Sequence, residues 1–295
     1  MRPRGGLLVL ALLLGACAGT PATVAPDALD DGVVARFGAA RSLAADATGT
    51  LYVADAEAGA VVALSPTGDR LGVFGGPGTA GGALIDVADV DPTNGQAVFV
   101  ADAGAGAVVH YTAERRAVAA IEIPEGRDTE REIPDREATL GRPVALARGP
   151  AETLYVIEAE RDVVLRLDGR GAVDQVLGGG RAGALVDPVS VAVDADGVVY
   201  VADRSRRVVQ TFDAFGVAGQ AISTEAVGAP ASVRVAGRRL VVAGPEAVAV
   251  VDRLGGLERV VPVAASEPLV GAVLTEVGLF VLTATRLARI EDRSE

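Results

Sequence analysis

The chain has 295 residues and a formal net charge of −12, and all 27 of its basic residues are arginine. This acidic balance excludes nucleic acid and anionic membrane surfaces as general partners, because both need a positively charged footprint. Hydrophobic residues make up 50% of the chain but aromatic residues only 3%, so the core has to be filled by alanine, valine and leucine.

The first 16 residues are organised like a secretory signal. Arg2 and Arg4 precede a short apolar run at 7–14, which ends in LGAC at 14–17. The run is far shorter than the roughly 20 apolar residues that span a bilayer. The LGAC stretch resembles the bacterial lipobox, and the resemblance implies cleavage before Cys17 and diacylglycerol on its sulfur.

Cys17 is the only cysteine, so the chain cannot form an internal disulfide. Ala18 follows it, and the resemblance then implies sorting to the outer membrane. Residues 17–31 are small, polar and proline-containing, which predicts a flexible tether. We therefore expect a lipoprotein exported to the bacterial cell envelope, with 1–16 as its signal peptide and membrane contact through the lipid anchor only.

A repeated five-residue unit organises residues 32–295. Its copies read LYVAD, VFVAD, LYVIE, VYVAD, LVVAG and LFVLT, and they begin at positions 51, 98, 154, 199, 240 and 279. The starts are therefore 47, 56, 45, 41 and 39 residues apart. A period of this length accommodates four short strands and their turns, which is one propeller blade. Six copies predict six blades.

The fourth unit shows the strand pattern most clearly. Its apolar runs lie at 189–193, 198–202, 208–212 and 217–222, and glycine closes the turns after the first and third. The stretch DRSRRVVQTFDAFG at 203–216 resembles the NHL repeat, with arginine where asparagine is usual at the fourth position. The resemblance extends from about residue 33 to the C-terminus and implies an all-β, six-bladed β-propeller.

The sixth unit is one strand short. It offers apolar runs at 270–274, 279–283 and 287–290, whereas VVARF at 33–37 precedes the first unit and has no blade of its own. An open ring would leave two unpaired sheet edges. We therefore predict that the N-terminal strand closes the ring by completing the sixth blade.

Acidic residues follow the second strand of the first four units: Asp55, Asp102, Glu158 and Asp203. Because strands alternate in direction, we expect these acids to lie in loops ringed around the central channel. These loops should share a face with the connections between blades, where Arg142 and Asp187 would lie at the channel mouth. In one interpretation these six residues form a face that binds a ligand or a cation. In the other, each acid caps its own turn by accepting backbone N–H bonds, the ordinary role of aspartate in loops.

The longest connection between blades, at 122–137, contains ten charged residues among sixteen. Loops on a rigid scaffold commonly carry specificity. We therefore predict that this face contacts an unidentified protein or small ligand. The opposite face should carry short hairpin turns such as 46–49 and 194–197.

No catalytic constellation can be assembled from the sequence. His110 is the only histidine, and a catalytic or metal role would need partners such as a second histidine or a cysteine. The glycine-rich stretches 75–82 and 178–183 lack the helix and the Lys-Ser/Thr pair of a phosphate-binding loop. We therefore predict no catalytic residues, no resident metal and no cofactor.

The sequence thus favours a non-catalytic binding or scaffolding propeller. Two alternatives stay open. One is a calcium-dependent hydrolase or lyase with a channel site built from carboxylates alone. The other is an accessory subunit of an envelope complex that makes its contacts through the outer edges of the blades.

Overall fold

The computed structural model describes residue 29 and residues 32–77, 82–92, 95–124 and 140–290. In these ranges, 24 strands form six antiparallel sheets of four strands each, arranged as a six-bladed β-propeller. Helical structure among the described residues is limited to Leu29 and a 3₁₀ turn at Pro150–Glu152. No helix in these ranges is long and apolar enough to cross a membrane. The predicted all-β propeller is confirmed.

Blades 1 to 5 each consist of four strands that follow one another in the chain. The strands are, for blade 1, β2 (Ala40–Ala45), β3 (Leu51–Asp55), β4 (Ala60–Leu64) and β5 (Arg70–Phe74); for blade 2, β6 (Val87–Asp91), β7 (Ala97–Asp102), β8 (Ala107–Thr112) and β9 (Ala117–Glu122); for blade 3, β10 (Pro143–Arg148), β11 (Leu154–Glu158), β12 (Val163–Leu167) and β13 (Val173–Leu177); for blade 4, β14 (Pro188–Val193), β15 (Val199–Asp203), β16 (Val208–Phe212) and β17 (Ile222–Ser223); and for blade 5, β18 (Ser232–Ala236), β19 (Arg239–Ala243), β20 (Ala247–Asp252) and β21 (Leu257–Pro262).

The sixth blade joins the two ends of the described chain. It contains β22 (Leu269–Thr275), β23 (Gly278–Thr283) and β24 (Arg286–Ile290), and its outer strand is β1 (Val33–Arg36), antiparallel to β24. The predicted closure of the ring by the N-terminal strand is confirmed.

Hydrophobic clusters between neighbouring blades hold the ring together. All five residues of β3, of β11 and of β15 are buried, because both faces of these second strands pack against adjacent blades. Tyr52 of blade 1, for example, packs in one cluster with Val98 and Val100 of blade 2. Most residues of the outer strands are exposed or half-buried, which explains why the second strands carry the clearest repeat.

One strand is much shorter than the sequence predicts. The run at 217–222 indicates a full fourth strand in blade 4, but β17 contains only Ile222–Ser223, so that prediction is wrong. Gln210 and Thr211 of β16 instead donate side-chain hydrogen bonds to the carbonyls of 219–220, at 2.9 and 2.8 Å. These side-chain bonds take the place of part of the backbone ladder.

Leu29, which belongs to the segment predicted as a flexible tether, is packed against the propeller. Leu29 is only 1% exposed and lies in the cluster between blades 5 and 6, with Val241 and Leu279. Its carbonyl accepts a hydrogen bond from the Gly32 N–H at 3.2 Å. The signal peptide and Cys17 predicted from the sequence lie outside the described residues.

Strand direction divides the loops between two faces of the disc. The turns from first to second and from third to fourth strands, such as 46–49 and 65–69, open on what we call the funnel face. The turns from second to third strands and the connections between blades open on the crossover face. Val33 pairs with Ala288, towards the end of β24, so β1 begins on the funnel face.

Candidate functional site

The four acids predicted for the crossover face are the last residues of β3, β7, β11 and β15 and are buried, not placed in loops. Asp55 is 6% exposed, and Asp102, Glu158 and Asp203 are 0% exposed. Each carboxylate accepts hydrogen bonds from the backbone of the connection that enters its own blade and of the turn that follows it. These acids therefore tie loops to strand ends.

Asp102 has the most complete set of these hydrogen bonds. One carboxylate oxygen accepts from the Ile85 N–H at 2.8 Å, and the other accepts from the N–H groups of Asp86, Gly104 and Ala105 at 2.9 to 3.1 Å. Such charge-assisted bonds satisfy backbone groups that would otherwise be buried without partners.

Asp55 and Asp203 repeat the arrangement with fewer bonds. Asp55 accepts from the backbone N–H groups of residues 38, 39 and 57, at 3.0 to 3.3 Å. Asp203 accepts from the Val186 N–H at 2.9 Å and from the Arg206 N–H at 3.0 Å. The same structural role thus recurs at the same register in different blades.

Glu158 fills this position in blade 3 less completely. Its Oε1 atom accepts from the Arg142 N–H at 3.0 Å and from the Glu160 N–H at 3.2 Å. Its Oε2 atom is buried and has no hydrogen-bond partner among the described residues. The extra methylene group, compared with aspartate, brings only one oxygen to the backbone.

Blades 5 and 6 lack the acid, and the structure shows what replaces it. A Cβ atom at Gly244 would lie 1.9 Å from the carbonyl oxygen of Val227, so the incoming connection packs directly on this glycine. In blade 6, Thr283 Oγ1 accepts a hydrogen bond from the Arg286 N–H at 3.1 Å. The degenerate copies of the repeat therefore keep its geometry by other means.

The two remaining predicted residues lie beside these strand ends. Arg142 contributes its backbone N–H to Glu158, while its side chain is exposed. Asp187 accepts from Ser205 Oγ at 3.2 Å and pairs with Arg204 Nε at 3.5 Å. Of the charged connection at 122–137, residues 125–137 lie outside the described ranges.

The acids between blades 3 and 4 are close enough to affect one another. Burial raises the pKa of Asp162, and repulsion by Asp187, Asp203 and Glu158 raises it further. Even so, the described part of the chain contains no group of three or more His, Cys, Asp or Glu side chains arranged to hold a metal ion.

A central cavity opens on the funnel face, where the sequence indicates only short turns. Its volume is about 660 Å³. The first strand of every blade and the adjoining turn contribute to its wall, together with Pro66: residues 44–49, 90–92, 146–148, 191–193, 234–237 and 273–277. Most of these residues are alanine, valine or leucine. We call this cavity the funnel.

Arg234 crosses the channel at the base of the funnel. Its Nη2 pairs with Asp89 Oδ1 at 2.7 Å, its Nε donates to the Leu43 carbonyl at 3.0 Å, and its Nη1 donates to Ser190 Oγ at 3.3 Å. Asp89 Oδ2 in turn accepts from the Leu146 N–H at 3.0 Å. One ion pair therefore links five of the six blades, and its side chains are only 14% and 4% exposed.

A stack of three side chains lies behind one wall of the funnel. The Arg148 guanidinium carbon is 5.5 Å from the centre of the Phe99 ring, and His110 stacks on Phe99 at a centroid distance of 4.5 Å. Burial, and then the charge of Arg148, lowers the pKa of His110. The backbone N–H of Arg148 also donates to Asp91 at 2.7 Å.

Sequence reasoning missed the Arg234–Asp89 pair, although a signal was present. Asp89 interrupts the apolar run VADVD at 87–91, and Arg234 interrupts SVRVA at 232–236. A charged residue within a first strand indicates a group facing the channel. Their pairing across 145 residues follows only from closure of the ring.

Comparison with known proteins supports the fold. No model of a known protein family matches the sequence, and no curated protein matches it either. Among solved structures, a streptogramin B lyase is similar with a TM-score of 0.61 and 10% identity, over 85% of this chain and 92% of that chain.

Two further structures show the same likeness. A catalytically inactive virginiamycin B lyase from Staphylococcus aureus, solved with quinupristin, gives a TM-score of 0.59 and 11% identity, over 85% of this chain and 95% of that chain. A chain of a nidogen/laminin complex gives 0.60 and 15%, over 79% and 83%. At such identities the likeness defines the class of protein, a six-bladed β-propeller, and nothing finer.

Proposed function

We propose that this chain is a non-catalytic binding propeller of the NHL type, held at the bacterial cell envelope through acyl chains on Cys17, which takes up a small ligand in its funnel. The observation that carries the proposal is the funnel itself. Its volume of about 660 Å³ falls within the range of roughly 300–1,000 Å³ that is typical of small-molecule pockets.

The base of the funnel and the apolar part of its wall favour an uncharged ligand end with an apolar body. The Arg234–Asp89 pair at the base is electrically balanced and largely buried, so a further charge beside it would be desolvated without a counter-charge. An amide or hydroxyl end can instead accept or donate a hydrogen bond at this base. The alanine, valine and leucine side chains of the wall suit an aliphatic body.

Contacts elsewhere support binding over catalysis. Asp55, Asp102 and Asp203 direct both carboxylate oxygens to backbone N–H groups, which leaves them little to offer a substrate. His110, the one histidine of the chain, is stacked on Phe99. We therefore assign ligand binding to the funnel and not to those carboxylates.

Three probes with the same aliphatic body and different end groups test the funnel. Hexanamide, hexanoate and hexylammonium are compared by saturation-transfer NMR, and we expect hexanamide to bind most tightly. Ala45, a half-buried residue of the wall, is changed to Phe to narrow the funnel, and Ala113→Phe on an exposed turn is the matched control. Hexanamide binding should fall at least tenfold, about 1.4 kcal/mol, in Ala45→Phe only. Undiminished binding by that variant would place the site elsewhere.

The envelope anchor has a separate test. Cys17→Ser should abolish acylation, so that the protein is recovered in the soluble fraction and not with membranes. Recovery with membranes regardless of this substitution would show that Cys17 is not the anchor.

A further inference from the structure

Arg148 places a positive charge in the wall of the funnel. It is the last residue of β10 and pairs with Leu154, the first residue of the repeated unit in blade 3. The residues that pair with the first residue of this unit in blades 1, 4, 5 and 6 are all apolar: Ala45, Val193, Val235 and Leu274. Removing a charge from water costs free energy, so an arginine at this position calls for an explanation.

The guanidinium group of Arg148 is held in place but lacks acceptors. Its carbon lies 5.5 Å from the centre of the Phe99 ring, and the side chain is only 17% exposed. It pairs with Glu152 at 3.7 Å, which is longer than a hydrogen bond, and the Glu152 side chain is 76% exposed. In the described part of the chain, no acceptor lies within hydrogen-bonding distance of the guanidinium nitrogens. Its N–H donors are therefore available to a ligand.

Arg148 lies nearer the mouth of the funnel than the Arg234–Asp89 pair does. Asp89 accepts from the Leu146 N–H at 3.0 Å, and Arg148 is two residues further along β10, towards the funnel face. Two residues of a strand advance about 7 Å. A ligand whose first polar group binds at the base would therefore bring a second polar group, about 7 Å further out, within reach of Arg148.

The charges around Arg148 favour an uncharged acceptor. The carboxylates of Asp46, Asp91 and Glu276 also belong to the wall, and Asp91 accepts from the Arg148 backbone N–H at 2.7 Å. A ligand carboxylate would be repelled by these acids. A carbonyl oxygen carries no net charge and can still accept a charge-assisted hydrogen bond from the guanidinium group.

We propose that Arg148 determines the specificity of the funnel, and that the ligand carries two uncharged carbonyl groups joined by an aliphatic body. One carbonyl group binds at the base and the other accepts from Arg148. The inference rests on the proposed uptake of a small ligand in the funnel. It narrows the class of ligand to diamides and similar dicarbonyl compounds.

Ligands that differ in their second polar group test the role of Arg148. Succinamide, adipamide and suberamide, which are diamides of increasing length, are compared with hexanamide by titration in saturation-transfer NMR. The best of the three should bind more tightly than hexanamide by about tenfold or more, because a hydrogen bond to a charged group is a strong one. Arg148→Met should remove this advantage and leave the affinity for hexanamide nearly unchanged. Arg161→Met, at an exposed position of a crossover-face turn, is the matched control and should keep the advantage.

The outcomes separate the role of Arg148 from the funnel itself. If hexanamide binds and no diamide binds more tightly, or if Arg148→Met keeps the advantage, the inference is wrong and the funnel remains a binding site. Tighter binding of adipamate, the monoacid of the same length, than of adipamide would overturn the uncharged class of ligand. If neither hexanamide nor any diamide binds, the proposed function and the inference fail together.

Discussion

Asp102 on the crossover face and Asp213 on the funnel face use their carboxylates in different ways. On the crossover face, Asp102 binds backbone N–H groups 16 and 17 positions earlier in the chain. On the funnel face, Asp213 binds N–H groups only two and four positions later, within its own turn. Asp102 is fully buried, whereas Asp213 is exposed.

The two carboxylates therefore differ in what they connect. Asp102 joins a strand end to the connection that enters its blade, whereas Asp213 bonds only within its own turn. A buried acid that holds an incoming connection fixes how one blade follows another, so its loss affects the ring. An exposed acid in a hairpin fixes one turn, so its loss stays local. The funnel face can therefore keep an open centre and vary its turn tips, while the crossover face is bound to the strand ends.

The largest loss of stability is expected when the long-range hydrogen bonds of Asp102 are removed. Asp102→Ala leaves four backbone N–H groups without their acceptor, and each such buried group costs about 1–3 kcal/mol. The free energy of unfolding, measured in urea, should fall by about 4 kcal/mol or more. Asp213→Ala, the matched control, removes two exposed bonds and should lower it by about 1–2 kcal/mol. Equal losses in the two variants would remove the distinction between the faces.

A smaller loss is expected at the base of the funnel, between the two faces. Arg234→Met leaves Asp89 as a buried charge without its partner, and such a change typically costs about 3 kcal/mol. Combining it with Asp89→Asn should recover part of this loss, because the amide carries no charge and can still accept from the Leu146 N–H. Urea unfolding of both variants checks this. A double variant less stable than Arg234→Met would mean that charge is not the main cause.

The smallest change in stability is expected at Glu158, where only one carboxylate oxygen bonds to the backbone. Glu158→Asp gives blade 3 the side chain used in blades 1, 2 and 4, and lets both oxygens reach the backbone. It should raise the free energy of unfolding by about 1 kcal/mol, the cost of one unpartnered buried acceptor. Glu225→Asp, at an exposed position, should change it by less than about 0.5 kcal/mol. A loss of stability in Glu158→Asp would show that the glutamate geometry is preferred there.

The fold was predictable because it depends on patterns that recur along the chain. Six copies of one buried strand define six blades, and the unpaired run at 33–37 has only one edge left to pair with. β17 was not predictable in the same way. Its apolar run can form a strand, but the side chains of Gln210 and Thr211 bond to the carbonyls of residues 219–220 there, and no local pattern indicates those bonds.

The site was predictable only in part. The sequence singled out Asp55, Asp102, Glu158 and Asp203, and it included turn capping as one of their two roles. Their burial depends on how closely each connection packs on its strand end, which no local pattern expresses. The funnel was missed because its width depends on side chains that meet only when the ring closes.

The pairing of β1 with β24 also determines how the propeller responds to a pulling force on its N-terminal chain. A pull on the N-terminal chain, directed away from the funnel face, acts along the axis of β1, whose partner β24 runs antiparallel to it. The hydrogen bonds between the two strands are then sheared together, whereas a strand peeled from its end loses them one at a time. Leu29 must also leave its buried position before the strand can slide. The seam of the propeller is therefore oriented to resist tension applied through its own N-terminus.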